Sequence, residues 1–180
     1  MLGRVGVELN ILVICELSRL ATHLKFLDSA LLPINAAVKL SADPESDGLF
    51  ERGEYLIGMG FVAAQRYIQT VYLAEGLKGD VALNLGEKVN DLGTHAHAIW
   101  QGANYWKHEE EWYHEVSCGR DLKRNAEATR DNLEYYTDWD DYTCANLLSV
   151  ILKGEELSLS ALIPVLETWT AAVSAYKQAL

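Results

Sequence analysis

Residues 13–31 read VICELSRLATHLKFLDSAL. Val13, Leu17, Leu20, Leu24, Leu27 and Leu31 step by four and three without a miss. With about 3.6 residues to a helical turn, that spacing lines one stripe of an α-helix with apolar side chains. Ile14, Cys15 and Ala21 widen the stripe, so the helix is expected to be well buried. Pro33 is expected to end or bend it, because proline has no N–H to give to the preceding turn.

Outward from this helix the same spacing recurs. Residues 41–53, with Pro44, Gly48 and Gly53 among acids, read as a loop. Ile57, Phe61, Ala64, Ile68 and Val71 mark a second long helix over 54–78. Gly58 and Gly60 either weaken its first turns or let another helix come close. Leu85, Val89, Leu92, Ala96, Ile99, Ala103 and Trp106 keep one phase through Gly86, Gly93 and Gly102. They predict one long third helix from about Val81 to Val116, kinked near Gly93. A mostly polar fourth helix carries Leu122, Ala126, Thr129, Leu133 and Tyr136, followed by a turn at 137–141. A short apolar helix spans Tyr142 to Lys153 and closes at Gly154. The last seam is Leu162, Leu166, Trp169, Val173, Tyr176 and Leu180, with Ser158 or Ser160 as its cap and Pro164 near its first turn. No segment alternates with period two for long enough to be a strand. The expected fold is all-α, a single-domain bundle over residues 1–180 of about five to six helices, three or four of them long.

The bulk numbers narrow the partners. Lys and Arg total 15 against 26 Asp and Glu, a formal charge of −11. Such a balance disfavours RNA, whose binding draws on basic patches that displace phosphate counterions. It suits a basic protein partner, since opposite charge speeds encounter. Cys15, Cys118 and Cys144 form no CxxC pair. Cys15 and Cys144 lie in apolar helical stretches and are expected to be reduced core residues in a reducing, cytoplasmic setting. Glu8, Glu16, Arg19, Lys25 and Asp28 interrupt the apolar N-terminal stretch, so no membrane span and no signal peptide is expected. Long apolar seams and aromatic-rich helix ends predict a homodimer.

One polar ridge could carry chemistry. Thr94, His97, Gln101, Asn104, His108, Glu111 and Glu115 step by three and four beside the third apolar seam. The simplest account is a solvated helix face with Lys107–Glu111 and Glu110–His114 pairs. A metal account is also open, because Glu111-x-x-His114 has the spacing that gives two ligands from one helix face in carboxylate bundles. No second copy of that spacing is present, and no cofactor is called for. Neither a Gly-x-Ser-x-Gly elbow nor a phosphate-cradling Gly-rich loop occurs.

The segment Ala103–Trp112, ANYWKHEEEW, resembles a helix-end segment of helical bacterial proteins of the HEPN type. The resemblance covers these residues and the all-helical layout. Active HEPN proteins are metal-independent ribonucleases with an Arg, four to six residues, then a His. His108 matches the histidine, and Gln101 stands at about the spacing of the arginine. The resemblance implies a catalytic set of His108, Asn104, Gln101 and Lys107, in a defence or toxin–antitoxin setting. Without the arginine it implies a degenerate or inactive ribonuclease, since a neutral amide cannot offset phosphorane charge. The alternative is an acidic interaction protein of immunity or antitoxin type with no active site. A positive pocket around His108 would favour the first reading. An acidic surface beside exposed Tyr105, Trp112 and Tyr113 would favour the second.

Overall fold

The computed structural model describes residues 2–137 and 141–180, with side chains from residue 11 onward. Its helices are α1 (Leu2–Leu40), α2 (Leu49–Ala74), α3 (Gly79–Leu83), α4 (His95–Ser117), α5 (Arg124–Leu133), α6 (Thr143–Ile151) and α7 (Leu162–Gln178). A 3₁₀ turn at Leu159–Ala161 leads into α7. No strand occurs among the described residues, only an isolated bridge between Lys88 and Thr94. The chain is an all-α bundle.

α2 is the central element, packing against α1, α4, α6 and α7. Its buried face carries Ile57, Phe61, Ala64, Ile68 and Val71, all without solvent contact. Leu24 and Leu31 meet it from α1, Ile99 from α4, Leu147 and Leu148 from α6, and Leu162 and Leu166 from α7. The glycines of α2 serve the close approach. A Cβ at Gly58 would lie 2.1 Å from the Trp106 ring, and one at Gly60 would lie 2.4 Å from Leu159. Gly102 of α4 does the same job against Leu147 and Phe61.

Two buried carboxylates fasten helix starts that are remote in sequence. Asp28 of α1 accepts the Leu159 N–H at 2.6 Å and the Ser160 N–H at 2.9 Å. Glu54 of α2 accepts the N–H groups of Cys144 and Ala145 at 2.6 and 2.7 Å. The first N–H groups of a helix have no partner within it, and an anion there also meets the positive end of the dipole. Both acids therefore act as caps supplied across the fold. Ser158 and Ser160, expected as caps themselves, instead donate their hydroxyls to Asp28.

Several boundaries differ from the sequence reading. Pro33 does not end α1, which continues to Leu40, and its ring is exposed. α2 begins at Leu49, so the loop before it is shorter than expected. The single third helix from Val81 to Val116 does not form. α3 stops at Leu83, Gly86 takes φ +87°, and Asn90 Oδ1 accepts the N–H groups of Leu92 and Gly93 before Thr94 starts α4. The apparent seam fails at Leu92, which is 65% exposed. Periodicity carried across the loop by chance cannot outweigh a left-handed residue and a helix cap. Cys15 and Ile14 face solvent, so α1 is buried along a narrower stripe; Cys144 is buried as expected. Of the last seam, Tyr176 and Leu180 are exposed. The turn expected at 137–141 lies mostly outside the described residues.

Candidate functional site

Packing cuts the polar ridge of α4 into three environments. At its start, Thr94 accepts the His97 N–H at 3.1 Å and donates its hydroxyl to the Leu83 carbonyl. His97 Nδ1 lies 2.6 Å from Tyr136 Oη, and His97 Nε2 lies 3.0 Å from Gln101 Nε2. An amide nitrogen only donates, so Nε2 accepts and the imidazole proton sits on Nδ1, directed at Tyr136. Burial pushes the His97 pKa down and the Tyr136 pKa up, so both stay neutral. Gly93 makes room for this group: a Cβ there would stand 1.7 Å from Tyr136 Oη. Gln101 is thus held inside a structural network.

The middle of the ridge faces α2. Gln65 Nε2 donates to Asn104 Oδ1 at 2.9 Å and to the Trp100 carbonyl at 3.4 Å. Lys107 Nζ donates to Gln65 Oε1 at 2.8 Å. Burial lowers the Lys107 pKa. Gln65 and Lys107 border a cleft of about 650 Å³ that also holds His23 and Arg66, and Asn104 does not reach it.

The end of the ridge is solvated. His108 Nδ1 lies 3.6 Å from Glu111 Oε2, with the imidazole 48% exposed. Its ring stacks on Trp112 at 6.4 Å and 18°. Glu115 pairs with Arg120 at 2.7 Å. The four residues implied as catalytic therefore fall into three places: Gln101 with His97, Asn104 and Lys107 with Gln65, and His108 with Glu111. The metal fallback gains no third ligand. Glu111 is turned to His108, His114 Nε2 lies 3.9 Å from Cys118 Sγ, and no cluster of three His, Cys, Asp or Glu suited to a metal occurs among the described residues.

A second cleft, about 580 Å³, opens where the start of α2 meets the end of α4. Glu51, Glu54, Glu109, Glu110, Glu111 and Asp141 line it, together with Tyr55, Tyr105, Trp106, Tyr113, Tyr142 and one cation, Lys107. Tyr55 meets Trp106 edge-on, ring centres 5.3 Å apart at 85°. Glu54 reaches this cleft with its carboxylate committed to the start of α6, and burial raises its pKa. Burial also raises the Glu109 pKa, and the nearby charges of Glu54 and Glu110 add to the rise. Of the three aromatics named from sequence, Tyr105 and Trp112 are buried and Tyr113 is exposed. Tyr55, 58% exposed, replaces them at the rim. The sequence reading missed Tyr55, Glu51 and Asp141, which come from other elements. The one available signal was Gly58, the contact that brings Trp106 beside Tyr55.

A third cleft, about 710 Å³, lies between α1, α2 and α6 and is walled by Leu31, Ile34, Val38, Leu49 and Phe50. Its rim is tied by Lys39–Glu156 at 2.7 Å, and it gathers no chemically poised group. No helix among the described residues is long and apolar enough to cross a membrane. Comparison of the chain with protein-family models, with curated proteins and with solved structures finds no match.

Proposed function

We propose that this chain is an acidic protein-interaction module that takes Lys or Arg side chains of a basic partner into the cleft between α2 and α4. The observation that carries the reading is the union, in one concavity, of six acidic side chains with five aromatic rings, against a single cation, Lys107. A cationic side chain gains from both: carboxylates hold its charge, and ring faces attract it by their quadrupole. The acids there are too dispersed for a metal but suit a larger organic cation. The test is calorimetric titration with an Arg- and Lys-rich peptide. Saturable binding that weakens at least about tenfold in the Glu110→Gln/Glu111→Gln variant is expected, equivalent to about 1.4 kcal/mol. Binding that is absent, or indifferent to both changes, refutes the reading.

A degenerate HEPN-like ribonuclease is the second reading. An exposed histidine, His108, on a long helix of an all-α bundle favours it. Against cleavage stand Glu111 beside that imidazole and Gln101 buried with His97. No metal-independent RNA cleavage is expected. Robust cleavage that vanishes with His108→Ala would overturn both the interaction reading and the degeneracy, and show an active ribonuclease. A homodimer is proposed with either, because α1 exposes Ile11, Ile14, Phe26 and Leu32. Light scattering tests it, and a monomer mass at high concentration refutes it.

A further inference from the structure

We propose that the cleft between α1, α2 and α4 is an oxyanion site that binds the phosphate group of a small phosphorylated molecule. It adjoins the acidic cleft, with which it shares Trp106 and Lys107, but does not depend on the reading given for that one.

His23, Gln65, Arg66, Gln69, Trp106 and Lys107 line the space, and no Asp or Glu does. That is notable in a chain of charge −11, where the default surface is acidic. Glu16 borders the adjoining surface with Arg66 and His23, and its carboxylate is engaged by Arg19 at 2.5 Å. Neither Arg66 nor Lys107 forms an ion pair among the described residues. Two cations beside one concavity repel each other unless an anion lies between them.

The cleft is also built to hold its cation in place. Gln65 Oε1 takes one of the three ammonium donors of Lys107, at 2.8 Å. Gln65 is itself fixed by Asn104 at 2.9 Å, and also donates to the Trp100 carbonyl at 3.4 Å. That chain of bonds spans α2 and α4 and leaves Lys107 with donors to spare. Burial already depresses the Lys107 pKa, a cost that a bound anion would reverse. Arg66 adds a planar fork whose two N–H groups match two phosphate oxygens. A phosphate can therefore be met by a fork, an ammonium and the amide of Gln69, since both Gln65 N–H groups are already engaged.

The charge of the whole chain selects the source of that phosphate. A polyanion would run its further phosphates over an acidic surface, including the carboxylate cleft that also borders Trp106 and Lys107. A single phosphate monoester is small enough to stay on the side of Lys107 that faces Arg66, where no Asp or Glu lines the cleft.

The experiment titrates the full chain with inorganic phosphate, adenosine monophosphate and a short oligoribonucleotide at about 150 mM salt. Amide and side-chain NMR shifts report the site. Saturable shifts at Arg66 and Lys107 with phosphate and the mononucleotide are expected, with at least about tenfold weakening in Arg66→Ala and Lys107→Met. Arg66 is exposed, so Arg66→Ala keeps the test sound even if Lys107→Met disturbs Gln65. The oligoribonucleotide should bind no more tightly than the mononucleotide. If it binds much more tightly and with a steep salt dependence, the claim of a small-molecule source is overturned. No saturation by either small anion up to about 10 mM overturns the site itself, as does equal binding by Arg66→Ala.

Discussion

Asp28 offers the sharpest test of how this bundle is held together. The residue is 7% exposed, and its carboxylate receives four donors: Leu159 N–H on Oδ1 at 2.6 Å, and Ser160 N–H, Ser158 Oγ and Ser160 Oγ on Oδ2 at 2.9, 2.9 and 2.5 Å. Asp28→Asn keeps the volume and one oxygen. The amide oxygen settles on the three-donor side, and its nitrogen then points a donor at the Leu159 N–H. One charge-assisted bond is lost, worth about 1.5–3 kcal/mol. Asp28→Ala removes both backbone bonds and leaves two buried N–H groups bare, at about 1–3 kcal/mol each. The two hydroxyls lose less, because Ser158 and Ser160 already lie 3.2 Å apart and can pair with each other. A chain of this size loses about 2–4 °C in melting temperature per kcal/mol. Thermal unfolding followed by circular dichroism should thus show a fall of roughly 3–12 °C for Asp28→Asn and a larger one for Asp28→Ala. Ser158→Ala should cost less than Asp28→Ala, because the carboxylate keeps its other three donors. Hydrogen exchange at the Leu159 and Ser160 amides should accelerate in both Asp28 variants. A melting point for Asp28→Ala within about 2 °C of wild type would refute the idea that α1 pins the start of α7.

Three further outcomes follow from the packing and the buried charges. Gly58→Ala gains up to about 1 kcal/mol of helix propensity but drives a methyl into the Trp106 ring, an overpacking cost of about 1–3 kcal/mol, so chemical denaturation should show net destabilisation. His97 has a depressed pKa in the folded chain, so the unfolded chain binds more protons; its contribution is present above the ordinary histidine value of 6.5 and is lost as pH falls below it. The raised Glu54 and Glu109 values act with the opposite sign, their cost growing as pH rises above 4.5, so the measurement is the difference between wild type and His97→Gln over that range: the wild type should lose more stability on acidification, and parallel profiles would contradict a neutral buried imidazole. Finally, a thiol reagent should modify Cys15 and Cys118 in the native chain and Cys144 only on unfolding, since Cys144 is buried and both burial and Glu54 raise its pKa.

The apolar seams of α1, α2 and α7 were legible because each rests on a local period that tertiary packing had only to accept. Leu20, Leu24, Leu27 and Leu31 are buried in the order their spacing implies. The third helix misled for the converse reason. Seven apolar positions kept phase across residues that Asn90, Gly86 and Thr94 hold in a loop, and those short polar and glycine signals outweighed the seam. The long-range caps were invisible. Nothing local marks Asp28 as the partner of residues 159 and 160, or Glu54 as the partner of 144 and 145. For the same reason the ridge on α4 was found as a row of residues, but its partners Gln65, Arg66, Tyr136 and Tyr55 came from other helices.

That division matters for function more than the ridge itself. A histidine-centred reaction needs its cation, its histidine and its substrate within one concavity. Here Lys107 turns toward Gln65 and Arg66, while the next residue, His108, turns toward Glu111 and Trp112. Successive residues on a helix point about 100° apart, so the separation is set by the backbone and not by a rotamer choice. Lys107 and Trp106 border both the basic and the acidic cleft, so α4 places opposite fields on its two flanks. An anion on one flank and a cationic side chain on the other would attract across Trp106, whereas a single extended polyanion would meet repulsion on the acidic side. On the two proposals together, ligands of opposite charge therefore sit on the two flanks of one helix, in place of one nucleic acid strand laid across it.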